Sequence, residues 1–143
     1  MVLSIMALSL SSCKKKETQA DKDEKIIQEY ISSHSLNAIA TGSGLHYVIN
    51  QQGTGASCNA YSDVKVKYSG YLTDGTLFDE STSGITINLQ QVIKGWTEGI
   101  PYFKEGGTGM LLIPSALGYG TQSTGSIPAN SVLIFNIDLV DVL

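Results

Sequence analysis

The chain has 143 residues with a hydrophobic content of 42%, enough for one domain with a real core and a modest extra segment. Its formal net charge is −4, and apart from two histidines every basic side chain is a lysine. Residues 14–42 carry five Lys and five Asp/Glu, whereas residues 43–143 carry four Lys against eight; an acidic domain without arginine has no footprint for a phosphate backbone, which excludes nucleic-acid binding.

The apolar run from Val2 to Leu10 is far too short to span a bilayer. It runs into Ser11-Ser12-Cys13 and then lysines. Leu10-Ser11-Ser12-Cys13 resembles the lipobox of bacterial lipoproteins, where small residues allow cleavage and the new N-terminal cysteine takes lipid. Residues 1–12 are therefore expected to be a signal peptide, truncated at its start because the usual positive residues before the apolar run are missing. Residues 13–22, charged and without apolar anchors, are expected to be a lipidated tether. The plainer alternative is a ragged start with a buried Cys13. With Cys13 lipidated, Cys58 is the one remaining thiol and no intramolecular disulfide is expected.

Ile26, Ile27, Tyr30 and Ile31 recur at helical spacing and predict a helix over Asp23 to Leu36, with Asp21 or Asp23 as N-cap. Asn37 to Gly44 is small and polar and predicts a linker. The helix can dock on the domain, pair with a second copy or space the domain from a membrane. No candidate site residue precedes residue 60, so residues 23–36 are expected to be dispensable for chemistry.

From Leu45 the period becomes two: Leu45, Tyr47 and Ile49 alternate with His46, Val48 and Asn50 until Gly53-Thr54-Gly55 breaks the strand. His46 reads as a strand-face residue and His34 as a helix-face residue; neither has ligand partners at metal-binding spacing, so no metal or cofactor is expected. Val64, Val66, Tyr68 and Leu72 share the buried face of the next strand, where the Tyr68 hydroxyl needs a partner. Thr73-Asp74-Gly75-Thr76 predicts a hairpin with a type I′ turn. Leu77-Phe78-Asp79 returns, with Asp79 beside the inward Phe78 at the rim of the core.

Ile85 to Leu89 alternates as a strand. Gln90 to Ile100 predicts a short helix with Ile93, Trp96 and Ile100 on one side, ended by Pro101. Gly95 and Gly99 lower its helicity, so tertiary contact must hold it, and its expected place is inside a curved sheet that the glycines allow to approach. Thr108 to Ile113 is a strand, Pro114 to Asn130 a long loop, and Ser131 to Leu143 a final strand whose Leu133, Phe135, Ile137 and Leu139 form an apolar face.

Taken singly, Phe78, Trp96 and Phe135 read as core, Asp79 as a turn or cap residue and Tyr119 as a loop anchor. In order along the chain they read differently. Val66-Lys67-Tyr68-Ser69-Gly70, Asp74-Gly75, Phe78-Asp79, Val92-Ile93-Lys94-Gly95-Trp96, Ile113-Pro114, Leu117-Gly118-Tyr119-Gly120, Ile127-Pro128 and Leu133-Ile134-Phe135 together resemble the FKBP-type peptidyl-prolyl isomerases. The resemblance covers residues 43–143, and the N-terminal helix with its lipobox is similar to the membrane-anchored bacterial members.

The resemblance implies an α+β fold, an FKBP-like antiparallel β-sheet of about five strands wrapped around a short α-helix, with an extra N-terminal helix and linker over 23–42. It implies catalytic roles for Asp79, Tyr119 and Tyr68. The implied substrate pocket comprises Tyr68, Phe78, Asp79, Val92, Ile93, Trp96, Tyr119, Ile127 and Phe135. Trp96 would be its floor, Tyr68, Phe78 and Phe135 its walls, and Ile93 and Ile127 would offer backbone groups. It further implies a rotamase acting on proline-containing polypeptides among exported proteins, affinity for macrolide inhibitors, and a lipid on Cys13 holding the protein in the bacterial envelope at the outer membrane. It does not imply an oligomeric state. The alternative from another class is a non-catalytic proline-peptide-binding or chaperone module on the same fold. The family often has an aromatic near Ile85, a larger apolar residue near Ser126 and a second proline at Ala129. These departures bear on substrate preference and inhibitor affinity more than on catalysis.

Overall fold

The structure, a computed structural model, describes residues 13–143. The expected signal peptide at 1–12 lies outside the described residues. Six antiparallel strands form one sheet in the order β1-β2-β5-β6-β3-β4. They are β1 (Ile39–Ala40), β2 (His46–Gln51), β3 (Asp63–Leu72), β4 (Leu77–Asn88), β5 (Thr108–Ile113) and β6 (Leu133–Val142). Helix α1 spans Gln19–Ser33 and the short helix α2 spans Lys94–Gly99.

The sheet closes on α2 through a core that includes Leu45, Val64, Val66, Leu111, Ile113, Leu133, Phe135 and Leu139 around Trp96 and Ile100. A six-residue helix cannot hold itself together in water, so these contacts and not propensity stabilise it. The two helix glycines explain how the sheet comes so close. A Cβ on Gly95 would sit 2.6 Å from Ile113 Cγ2, and one on Gly99 would sit 2.6 Å from Leu111 Cδ2. Glu98 on the same helix accepts hydrogen bonds from Thr41 Oγ1 (2.7 Å) and Ser43 Oγ (2.7 Å), tying α2 to the β1–β2 connection.

Several expectations need correction. Helix α1 starts at Gln19, inside the segment read as tether, because Thr18 and not Asp21 or Asp23 is the N-cap. Thr18 Oγ1 accepts from the Asp21 N–H while Asp21 accepts from the Thr18 N–H at 2.8 Å, a reciprocal capping box. The linker read at 37–44 contains β1, where Ile39 pairs with Tyr47. Helix α2 is shorter than the expected 90–100; Ile100–Tyr102 form a separate 3₁₀ turn with Pro101 at its start.

The β3–β4 turn is not type I′, which requires positive φ at both central residues. Only Gly75 has positive φ (+90°), and its N–H donates to Leu72 O at 3.0 Å. This is a type I turn followed by a left-handed glycine, the three-residue loop geometry. Strand β4 is one strand over Leu77–Asn88, not two, with its register shifted opposite Val66 to Tyr68.

Helix α1 docks on the outer face of the sheet. Ile27 is fully buried in a second apolar cluster with Val48, Leu112, Val132 and Ile134. This is why His46 and Val48 of β2 are buried as well as Leu45 just before the strand, where simple alternation expects one wet face. His46 Nδ1 donates to Gly44 O (3.2 Å) and its Nε2 accepts from Gln28 on α1 (3.2 Å), the tautomer that satisfies both contacts. Cutting α1 away would uncover this cluster, so its dispensability does not follow from the sheet alone.

Candidate active site

Strand pairing brings the first two polar groups together. Tyr68 pairs with Ser81 and Gly70 with Asp79, which puts Tyr68 and Asp79 diagonally across two strands, within reach of a long side chain. The Tyr68 hydroxyl donates to Asp79 Oδ2 at 2.7 Å. Burial, reinforced by this bond and by the Asp79 charge, pushes the phenol up to about 12. Tyr68 therefore keeps its proton throughout the neutral range and stays a donor.

Trp96 comes from α2. Its indole meets Tyr68 edge-on (centroids 4.9 Å, 86°) and Phe135 edge-on (5.3 Å, 82°). Such edge-to-face pairs are each worth roughly 0.5–1.5 kcal/mol beyond burial. Trp96 is 4% exposed, and its indole nitrogen is buried without a hydrogen-bond partner among the described residues.

These groups line a cavity of about 330 Å³. Tyr68 and Asp79 from β3 and β4, Val92, Ile93 and Trp96 around the start of α2, Tyr119 from the β5–β6 loop and Phe135 from β6 all contribute. Tyr119 is 37% exposed at the open side. The Ile93 carbonyl accepts from Trp96 N (3.0 Å), while its N–H has no acceptor among the described residues.

Phe78 and Ile127 do not line the cavity, contrary to the expectation that both belong to it. Phe78 packs edge-on against Phe135 at 5.5 Å and 87° and against the core. Ile127 is buried in the core, and its N–H donates to Thr124 O at 2.9 Å, so that donor is already engaged. Conversely, Ile87 and Gln91 line the cavity, and so does Ile85, noted from sequence as a departure and not as a pocket residue. Ile85 and Ile87 share one face of β4; the signal was the period of two in a strand already recognised. Gln91 follows the strand and carries no sequence signal.

The cavity has aromatic and aliphatic walls, one carboxylate, one amide and two phenols, and among its lining residues no Ser, Cys, Lys or His. Hydroxyl, thiol, amine and imidazole catalysis by Ser, Cys, Lys or His therefore have no agent in this lining. A sheet folded over a short helix encloses the base of an aromatic cavity whose mouth is open and carries hydrogen-bonding groups.

The chain belongs to the FKBP-type peptidyl-prolyl cis-trans isomerase family, whose description matches residues 55–140. It is 42% identical over 135 residues to the FKBP-type peptidyl-prolyl cis-trans isomerase FkpA of Aeromonas hydrophila, covering 88% of this chain and 50% of that protein. FkpA of Escherichia coli (strain K12) is 41% identical over 105 residues, covering 71% of this chain and 39% of that protein. The crystal structure of FkpA from Escherichia coli superposes with a TM-score of 0.77 at 34% identity, over 87% of this chain and 60% of that one. A peptidyl-prolyl cis-trans isomerase structure from Pseudomonas syringae pv. tomato gives 0.74 at 28% identity, over 90% and 98% of the two chains. The chain spans about half the length of the curated FkpA relatives from Aeromonas and Buchnera.

Proposed function

We propose that the chain is a peptidyl-prolyl cis–trans isomerase that accelerates rotation about Xaa-Pro bonds in exported polypeptides and so assists their folding. The observation that carries this reading is the Tyr68–Asp79 hydrogen bond over a Trp96 floor, in a cavity lined by no Ser, Cys, Lys or His.

Rotation about a peptide bond faces a barrier of roughly 18–20 kcal/mol because C–N resonance must be lost. Before proline the isomers are close in energy, yet exchange takes tens to hundreds of seconds unaided. The site therefore need only favour a twisted amide. Twisting localises the nitrogen lone pair and lowers the amide dipole, so a water-poor aromatic cavity favours the twisted form relative to the planar one. The proline ring rests on the indole of Trp96. The Ile93 N–H and the Tyr119 hydroxyl hold carbonyls flanking the ring. Tyr68 is fixed by Asp79, whose negative charge lies beside the reacting carbonyl.

The test is a protease-free isomerisation assay on several Xaa-Pro peptides. Catalysis that saturates with peptide supports the proposal. Saturable peptide binding without any acceleration gives the binding-module reading instead. The same cavity is proposed to take macrolide inhibitors, with Ile85 at its wall and the exposed Ser126 outside it setting a different affinity from members with larger residues there.

We further propose that Cys13 carries lipid and holds the protein at the outer membrane of a bacterial envelope. Cys13 is exposed, and only residues 14–18 separate it from α1, which supports a domain carried close to the bilayer on a short tether. Cys13→Ser in a chain with a complete signal sequence should move the protein from the membrane to the soluble fraction. Unchanged fractionation with no lipid mass on the mature N-terminus would refute it.

A further inference from the structure

Asp23 lies in α1, yet its carboxylate is 1% exposed and is used by a residue far away in sequence. Asp23 Oδ2 accepts from the Ser115 backbone N–H (2.8 Å) and from Ser115 Oγ (2.5 Å), while Oδ1 accepts from Gln19 Nε2 (2.8 Å). Among the described residues no basic side chain pairs with this carboxylate; the three donors solvate it instead.

Ser115 in turn carries the loop that presents Tyr119. Its carbonyl accepts from both Gly118 N (3.0 Å) and Gly120 N (2.8 Å), bracketing Tyr119 from either side. Asn130 N closes the loop by donating to Gly120 O at 2.8 Å. The turn that carries Tyr119 is thus anchored at its start on Ser115, and both the N–H and hydroxyl of that residue are held by the N-terminal helix.

We infer that Asp23 is a positioning residue for the cavity: through Ser115 it fixes the bracket that aims Tyr119, so that α1 is part of the site's support and not an appendage. This rests on the isomerase reading of the cavity and adds to it a contribution from outside the sheet. It also reverses the expectation that residues 23–36 are dispensable.

The experiment is a double-mutant cycle in the full chain between Asp23 and the Tyr119 hydroxyl, two groups that share no contact. Asp23→Ala should lower kcat/KM on a proline peptide by about fivefold or more, since small misplacements of an orienting group are costly. In a Tyr119→Phe background the same substitution should cost almost nothing, because the hydroxyl it positions is already gone. Asp23→Asn, which keeps an acceptor, should restore part of the loss. Equal losses in both backgrounds would mean a general structural effect and overturn the inference, as would a folded Asp23→Ala variant with normal kcat/KM. Should Asp23→Ala fail to fold, Ser115→Ala serves in its place, with the same expectations. If the wild-type protein shows no isomerisation, the functional proposal fails separately. The inference is then read from amide hydrogen exchange at Gly118 and Gly120, which must accelerate in the variant relative to strands β3 and β6, and unchanged exchange would refute it.

Discussion

Tyr68 and Asp79 are joined by a 2.7 Å hydrogen bond although they are not opposite each other in the sheet: Tyr68 faces Ser81, and Asp79 faces Gly70. The bond spans a diagonal, which only a side chain as long as tyrosine covers. Asp79→Leu should lower kcat/KM by about tenfold, the equivalent of about 1.4 kcal/mol, with little change in the urea midpoint because Asp79 is exposed. Tyr119→Phe removes one hydrogen bond of about 0.5–1.5 kcal/mol and should cost less. Steady-state kinetics beside chemical denaturation separates these effects; if Asp79→Leu and Tyr119→Phe combined leave isomerisation intact, the assignment of roles is wrong.

Tyr68 also fixes a pH dependence. Its folded-state pKa is raised from the ordinary 10.0 to about 12, chiefly by burial. The folded protein therefore holds this proton more tightly than the unfolded chain. The associated stability is fully present below about pH 10 and is lost as pH rises from there through about 12. The urea midpoint of the wild type should fall more steeply over that window than that of Tyr68→Phe. Parallel curves for the two proteins would contradict the assignment. With no group in the cavity required to accept a proton, kcat/KM should be nearly flat across neutral pH.

The sequence carried the strands and the site unequally, for physical reasons. Strand β5 matches its expected span of Thr108 to Ile113, since period and breakers coincide there. The middle of β4, between the returning Leu77-Phe78-Asp79 and the alternation from Ile85, was not legible because Glu80-Ser81-Thr82-Ser83-Gly84 offers no apolar face. The start of α1 was legible in principle, as Thr18 and Asp21 stand at capping-box spacing. The burial of Asp23 was not, because its partner is Ser115, a contact that no local pattern encodes. For the same reason Phe78 and Ile127 could be placed near the cavity but not assigned to its surface. A period of two says which way a side chain leaves the strand, and only the packed core decides whether it reaches the opening.

Trp96 couples stability to binding. Trp96→Ala should destabilise the fold by about 3–5 kcal/mol, as truncation of a buried large aromatic does. Trp96→Phe should cost less, since it keeps an edge-on ring and removes an indole N–H that has no partner among the described residues. Thermal or urea unfolding ranks the pair; equal losses would show that the indole N–H finds a partner.

Gly95 and Gly99 mark the closest approach of helix and sheet. Gly99→Ala raises intrinsic helicity yet should destabilise, by about 1–3 kcal/mol, because the new methyl would lie 2.6 Å from Leu111 Cδ2. A stabilised variant would mean that the sheet gives way easily, and that α2 is not clamped as described.

The proposed turnover of an Xaa-Pro bond in this cavity is tested most directly, without a coupled protease, by equilibrium exchange spectroscopy on a proline peptide. With the protein at a small fraction of the peptide concentration, the cis and trans resonances should exchange far faster than the tens to hundreds of seconds of the free peptide. Asp79→Leu at equal concentration should lose most of that acceleration. Exchange that stays at the uncatalysed rate, with the peptide demonstrably bound and the protein folded, would contradict the account and leave a binding module in its place.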